Sequence, residues 1–337
     1  MMNNPFKING EMAPVASINS VYVDDTKAYD LFRPTLMMQA LLAQKDQLGI
    51  TDVGESDSLL SMFQALLTSD IPSVRDRAVA IAEHFGDQLA RVLATLFDPS
   101  ERSRANRDNW DERHWAYWRS IHQVYLVGGL TSPRLTGIFL ERIQSCFQER
   151  DISDVTVSFI EGSQNLGTRG MATLIDDGDC LLFDFGQTNI KRARHVKQNG
   201  KVILDVTMDP LLSRHLFYKT ANAAELQATA RMLDNFMVDA IEETAEDSGF
   251  HGSEVFISIA NYVSDGAIYA ARGGYGKLAL LAPNYRDHLS TRLSKRLGHE
   301  IRVSLFHDTS AMALLFQKEP HTAVISLGTA FGVAFVD

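Results

Sequence analysis

The sequence predicts an α/β protein with mixed sheets, divided into two lobes, and three observations carry that expectation. Short apolar runs that read as strands alternate with longer segments whose apolar residues recur at three- and four-residue spacing. From Leu181 onward three β-like runs follow one another with only turn residues between them, which adds an antiparallel meander to the alternating pattern. The chain has 337 residues, more than the roughly 250 to 300 at which a single core stops growing, so two lobes are expected.

Taken in order, residues 1 to 30 are mixed in character. A helical region then runs through RPTLMMQALLAQ, SLLSMFQALL and VRDRAVAIAEHFGDQLARVLATLF; Asp70 or Ser73 is expected to cap the last helix and Asp98-Pro99 to stop it. Residues 100 to 120 are polar yet carry all three tryptophans, and read as an insertion with a helix that serves either a partner surface or its own lobe. VYLVGG is a strand ending in Gly128-Gly129, and Pro133 opens the helix after it. VTVSFIEG is a further strand, followed by a short helix. The meander comprises LLFDFG, NIKRARHVK and KVILDVTM, with Asn199-Gly200 as a two-residue hairpin signal. A long amphipathic helix ends at Gly249, VFISIANYV is a strand, residues 284 to 298 a helix, IRVSLFHD a strand and TSAMALLF a helix. AVISLGTAFGVAFVD closes the chain as two strands hinged on glycines.

Composition excludes several function classes. With 32 Lys+Arg against 42 Asp+Glu the net charge is −10, which argues against a nucleic-acid or anionic-membrane surface, since either needs a basic face. Cys146 and Cys180 are the only cysteines, so neither a disulfide framework nor a four-thiolate zinc site is expected, and a reducing, cytosolic setting fits. MMNNPFKINGEMAP has no charged region leading into an apolar core, and no stretch approaches 18 uninterrupted apolar residues, so a soluble, unexported protein is expected. No HExxH or G-x-S-x-G arrangement occurs.

The segment richest in chemistry is Asp184-Phe185-Gly186-Gln187-Thr188-Asn189, a hairpin turn with an acid before a glycine and small polar residues. A phosphate can rest on such a turn: glycine allows close backbone approach, Thr188 and Asn189 donate hydrogen bonds, Lys191 adds charge, and Asp184 can hold Mg²⁺ through water. A plain solvent-facing hairpin is the equal alternative. Leu327-Gly328-Thr329-Ala330-Phe331-Gly332 has the same logic, and Gly128-Gly129 is a third glycine turn.

Together these segments resemble the ROK (repressor, open reading frame, kinase) family of sugar kinases and sugar sensors. FDFGQTNIKRA resembles that family's first phosphate motif, DIGGTNIK, and SLGTAFGVAFV its second, LGTGIGGGII. APNY (Ala282 to Tyr285) resembles the family's APNL segment, HDTSAMAL its NDANAAAL segment, VYLVGGLTS its adenosine motif, and GSQNLGTRGMATLI its terminal helix. The order differs: elements that close the family's chain occupy residues 79 to 175 here, and the opening motif begins at 184. The resemblance, spanning most of residues 79 to 337, therefore implies a circularly permuted, two-lobed actin-like ATPase (ribonuclease H-like) fold. Its larger lobe would comprise 1–173 plus 311–337 and its smaller lobe 174–310.

By the same resemblance Asp308 would be the general base that takes the proton of a sugar hydroxyl attacking ATP, its alternative being a helix cap. Asn284, Asn261, His307 and Glu11 would line the sugar side, Glu11 standing for the glutamate of the family's GEIGH segment. Asp184 would organise Mg²⁺; Gly186, Gln187, Thr188, Asn189 and Lys191 would lie by the phosphates, with Gly328 and Thr329 opposite and Gly128 and Gly129 against adenosine. The implied function is ATP- and Mg²⁺-dependent phosphotransfer to a sugar or polyol, by a homodimer that binds neither nucleic acid nor membrane. The alternative is a non-catalytic sensor that binds nucleotide or sugar. Departures from the family are Gln187 for its second glycine, His307 for the Asn before its catalytic Asp, Ala260-Asn261 for its Pro-Gly, Ala330 and Phe331 for two phosphate-turn glycines, and loss of its CxCGxxGCxE motif, so no structural zinc is expected. Phe331 in particular is expected to crowd or shield the nucleotide.

Overall fold

The computed structural model describes residues 3–50, 59–130, 132–162, 165–216, 222–269 and 274–337. Helices and mixed sheets alternate as the apolar patterning predicts, and the chain divides into two units. The first comprises Met1–Pro5, Val15–Gln164 and Lys318–Asp337; the second comprises Phe6–Pro14 and Asn165–Gln317. Against the boundaries expected from sequence, residues 6–14, 165–173 and 311–317 fall in the second unit. The reason is packing: the Leu166–Ala172 helix runs so close to the Asp308–Ala313 helix that a Cβ on Gly170 would lie 1.9 Å from the Ala311 carbonyl oxygen.

In the first unit the sheet order is Phe331–Val336, Thr322–Leu327, Gln123–Val127, Thr156–Phe159; the first pair is antiparallel and the rest parallel. The 26-residue helix Pro72–Phe97 packs along Pro133–Glu149, burying Phe85, Leu89, Leu93 and Phe139. Neither Asp70 nor Ser73 caps the longer helix: Ile71 holds the cap position without a side-chain bond, and Pro72, whose fixed φ suits a first turn, starts it. It stops at Asp98, as expected. The tryptophan segment forms two short helices, Glu101–Ala105 and Glu112–Arg119. All three indoles are buried, and Trp118 meets Phe97 and Phe335 edge-on, so this segment completes the core of its own unit.

The second unit has the order Arg302–His307, Glu254–Ile259, Gly178–Phe185, Asn189–Gln198, Lys201–Leu212. The first three strands are parallel and the last three form the expected antiparallel meander. Asn199 (φ 52°) and Gly200 (φ 72°) make the tight turn that keeps the right-handed strand twist. The Ala223–Ser248 helix, capped by Asn222 and by left-handed Gly249, covers one face through Leu233, Met237 and Ile241 against Phe183, Phe185 and Ile257. Met171, Leu182, Phe256 and Ala311 pack on the other. Among the described residues no helix is long and apolar enough to cross a membrane.

The close helix crossing sets an expected outcome. Gly170→Ala should cost about 3 kcal/mol, the upper range for forced overpacking, or prevent folding, measured as the denaturant midpoint. Gly137→Ala, at a half-buried helix position where a Cβ would meet nothing within 4 Å, should instead stabilise by about 0.5–1 kcal/mol.

Candidate functional site

In the second unit Phe185, Ile259 and His307 stand side by side in register, so three parallel strands end together. Such carboxyl ends are where open α/β sheets place their ligand-binding groups. Asp184, Asn261, His307 and Asp308 all arrive there.

Asp184 is 1% exposed and would be costly there without partners. Lys191 faces it directly across the hairpin register and donates from Nζ at 2.8 Å to Oδ2, while Ser258 Oγ on the neighbouring strand donates at 2.9 Å to Oδ1. Gly167 keeps the opposite side small, because a Cβ there would sit 3.1 Å from the Asp184 carboxyl carbon. In the turn that follows, Gly186 is required by close approach: a Cβ would lie 2.8 Å from the Asn189 carbonyl oxygen. Ser213 Oγ (2.7 Å) and the Tyr275 hydroxyl (2.9 Å) donate to the Gly186 carbonyl, while Thr188 and Asn189 stand exposed and Gln187 half-buried. Burial, with the nearby negative Asp184 and Asp308, pushes the Tyr275 phenol well above its ordinary value, so it stays a donor.

Asp308 is the first residue of its helix, and His307 holds the cap position without a side-chain cap bond. The carboxylate Oδ1 accepts from Thr309 N–H at 2.6 Å and from Thr309 Oγ1 at 3.1 Å, and lies 3.2 Å from His307 Nε2. Among the described residues Oδ2 accepts no hydrogen bond, and the side chain keeps 21% exposure. Burial raises the Asp308 carboxyl above the usual range, against the lowering effect of His307 and the Thr309 bonds; Asp184 adds to the rise. Burial lowers His307, against the raising effect of the Asp308 charge. A carboxylate that is reluctant to ionise and open at one oxygen is suited to accept a proton.

Three residues expected on the sugar side are hydrogen-bonded to backbone groups. Asn284 caps the Tyr285–Leu297 helix, accepting from Asp287 N–H at 3.0 Å and donating to the Asp265 carbonyl at 2.9 Å. Asn261 folds back on its own loop, accepting from Tyr262 N–H and donating to the Tyr269 carbonyl. Glu11 accepts from Asp265 N–H at 2.6 Å and lines a groove of about 1030 Å³ with Asp265, Arg286 and strand residues 302–306; neither His307 nor Asp308 lines it. Sequence reasoning missed Ser258, Ser310, Tyr262 and Tyr275; Ser258 alone carried a signal, as a lone hydroxyl in an apolar strand.

In the first unit the parallel pair of strands brings Ser326 beside Val127, so the two glycine turns that follow adjoin. Gly128 (φ 111°) lies so close that a Cβ would be 2.9 Å from the Leu327 carbonyl oxygen. Gly328 has no such constraint, Thr329 is exposed, and a Cβ on Gly129 would meet nothing within 4 Å. Phe331 does not shield this turn: it is buried and stacks on Phe32 at 5.7 Å, because the strand alternation turns it into the core.

No group of three or more His, Cys, Asp or Glu able to hold a metal occurs among the described residues. Asp184 spends one lone pair of each oxygen on Lys191 and Ser258; the remaining lone pairs fit Mg²⁺ held through water rather than directly.

The raised carboxyl of Asp308 fixes a sign for stability. A carboxyl with a folded pKa above its unfolded value favours the fold in acid, and that contribution is lost as pH rises through the folded value. Asp308→Asn should therefore raise the melting temperature at pH 7.5, and the gain should shrink as the pH falls into the ordinary carboxylate range, measured as thermal melts across pH. No protein-family model matches the chain, and no curated protein matches it either, so its functional reading stands on the geometry of its own residues.

Proposed function

We propose that the chain is an ATP-dependent phosphotransferase acting on a hydroxyl of a sugar or related polyol, with a circularly permuted, ROK-like arrangement of the actin-like ATPase fold. The observation that carries this reading is Asp308: a half-buried strand-end carboxylate with Oδ1 bonded and Oδ2 open, on the same strand ends as the Asp184 hairpin turn. The sheet orders support it. The second unit continues an antiparallel meander into two parallel strands, and the first continues an antiparallel pair the same way.

In the reaction an acceptor hydroxyl oxygen forms a bond to the γ-phosphorus. The bond from that phosphorus to the β,γ-bridging oxygen breaks, its electron pair leaving on ADP, and the hydroxyl proton passes to Asp308 Oδ2. Thr188 and Asn189 in the exposed hairpin turn donate to phosphate oxygens, and Lys191 places positive charge beside them. Gly328 and Thr329, with Gly128 adjoining, offer backbone N–H groups in the first unit. Mg²⁺ held through water by Asp184 would neutralise charge on the β- and γ-phosphates.

A second reading, a sensor that binds without turnover, is favoured by one observation: Lys191 already neutralises Asp184. ADP release from Mg-ATP over a panel of hexoses, amino sugars and polyols separates the two. The phosphotransferase should show sugar-dependent release that falls about 10³-fold in Asp308→Asn, within the range for loss of a general base. Absence of turnover with every acceptor, together with absence of thermal protection by nucleotide, would overturn it; protection without turnover would establish the sensor.

A further inference from the structure

The sheet of the second unit ends on one side at Arg302–His307, whose strand neighbour is Glu254–Ile259 alone. Arg302 N–H donates to the Ser253 carbonyl at 2.7 Å. Pairing alternates along a strand, so residues 302, 304 and 306 bond inward, while Val303 and Leu305 turn their backbone groups outward. Ser290 Oγ accepts from Val303 N–H at 3.1 Å. Among the described residues, the Leu305 N–H and the carbonyls of Val303 and Leu305 have no partner across that edge. The opposite edge, Lys201–Leu212, carries Lys201, Asp205, Asp209 and Pro210, charged residues and a proline of the kind that keeps an edge strand from pairing. Arg302–His307 has neither lysine nor proline, and its arginine is tied sideways to Glu254 on the neighbouring strand at 3.1 Å.

The groove of about 1030 Å³ follows this edge and is lined by every residue from Arg302 to Phe306, roughly 16 Å of strand at ~3.3 Å per residue. Its walls carry the carboxylates of Glu11, Glu254, Asp265, Asp287 and Glu300 against the guanidiniums of Arg286 and Arg302 alone. Both guanidiniums are already paired within the groove, Arg286 with Asp265 at 3.2 Å and with Asp287 at 3.0 Å, and Arg302 with Glu254. Among the described residues Glu11 meets the Asp265 N–H and no cation, and Glu300 has no ion pair. The groove therefore joins two unmet demands, outward backbone groups in strand geometry and a surplus of negative charge.

We propose that this edge docks an extended basic segment of a partner protein, added as a further strand beside Arg302–His307. Its backbone pairs with Leu305 and the Val303 carbonyl, and its Lys or Arg side chains meet Glu11 and Glu300. Main-chain pairing supplies affinity in such a contact, and the side-chain environment supplies selectivity. A small polycation would answer the carboxylates and leave the backbone groups unpaired; an acidic strand would do the reverse. The proposal is independent of the phosphotransfer reading, because neither His307 nor Asp308 lines the groove.

The probe is a fluorescein-labelled, end-blocked peptide, Lys-Thr-Val-Thr-Lys, titrated into the full chain and read by fluorescence anisotropy. It should bind saturably, and exchanging both lysines for glutamate, or Glu300→Arg in the protein, should weaken binding about tenfold. Glu300 is exposed, so that variant should keep the wild-type melting temperature. An added strand uses the N–H of every second residue. N-methylation of the peptide at its second and fourth nitrogens, or at its third, should therefore weaken binding about tenfold in one case and little in the other. Amide hydrogen exchange at Leu305 should slow about tenfold on peptide addition, while Ser304, already bonded inward, should stay within about twofold. Absence of saturable binding up to about 1 mM peptide would overturn the proposal. Indifference to both N-methylations would reduce the contact to charge attraction and overturn the added strand. Unchanged binding by Glu300→Arg, or unchanged exchange at Leu305, would place the peptide elsewhere and overturn the site. Self-association of the chain in sedimentation that the peptide disperses would make a second copy the occupant and overturn the basic partner segment.

Discussion

Asp184 is a carboxylate taken almost wholly out of water, and the surroundings of the candidate site are organised by the need to compensate it. An isolated buried charge would neutralise or unfold its neighbourhood. Compensation comes from two directions that only this sheet order provides. Lys191 reaches Asp184 because the hairpin register puts the two residues directly opposite, and Ser258 reaches it because the next parallel strand runs in step. A one-residue slip on either side would send the partner to the other face of the sheet. The polar contacts thus fix the register, and that register delivers Asp308 to the same strand ends.

Backbone proximity does the second part of the work. Where Gly170 meets the Ala311 carbonyl, the Leu166–Ala172 helix is drawn onto the helix that begins with Asp308, within the second unit. Where Gly128 meets Leu327, two turns separated by some two hundred residues become neighbours. In both places a methyl group would occupy space already taken by a carbonyl oxygen. These glycines therefore report tertiary closeness, and nothing in their local sequence distinguishes them from Gly129 or Gly137, which have open space around them.

This difference marks what the sequence made legible. Periodicity identified the long helices, the meander and the closing hairpin, because burial on one face leaves a local pattern of period 3.6 or 2. The Asn199-Gly200 and Gly249 turn signals held because they concern φ at single residues. Caps were less legible: Asp70 and Ser73 both flank Pro72, and proline at the first turn removed the need for either. The sugar-side residues were least legible. Asn284, Asn261 and Glu11 have the right chemistry for hydroxyls, yet each is satisfied by a backbone group, Asp287, Tyr262 and Asp265 respectively, that no motif discloses. Phe331 was misjudged for a related reason: a position within a glycine-rich motif does not say which face of the strand it takes.

The pair His307-Asp308 shows how an imidazole beside a carboxylate alters the physics of a strand end. An asparagine amide beside an aspartate is neutral at every pH and donates weakly in either of two orientations. An imidazole can be neutral or charged, and the partners of its two nitrogens bias which of them carries the proton. Around His307, Tyr262 stacks on the ring and Ser310 Oγ lies 3.1 Å from Nδ1. Such a device consumes stability, because it keeps an acid and a base desolvated at one point of the sheet.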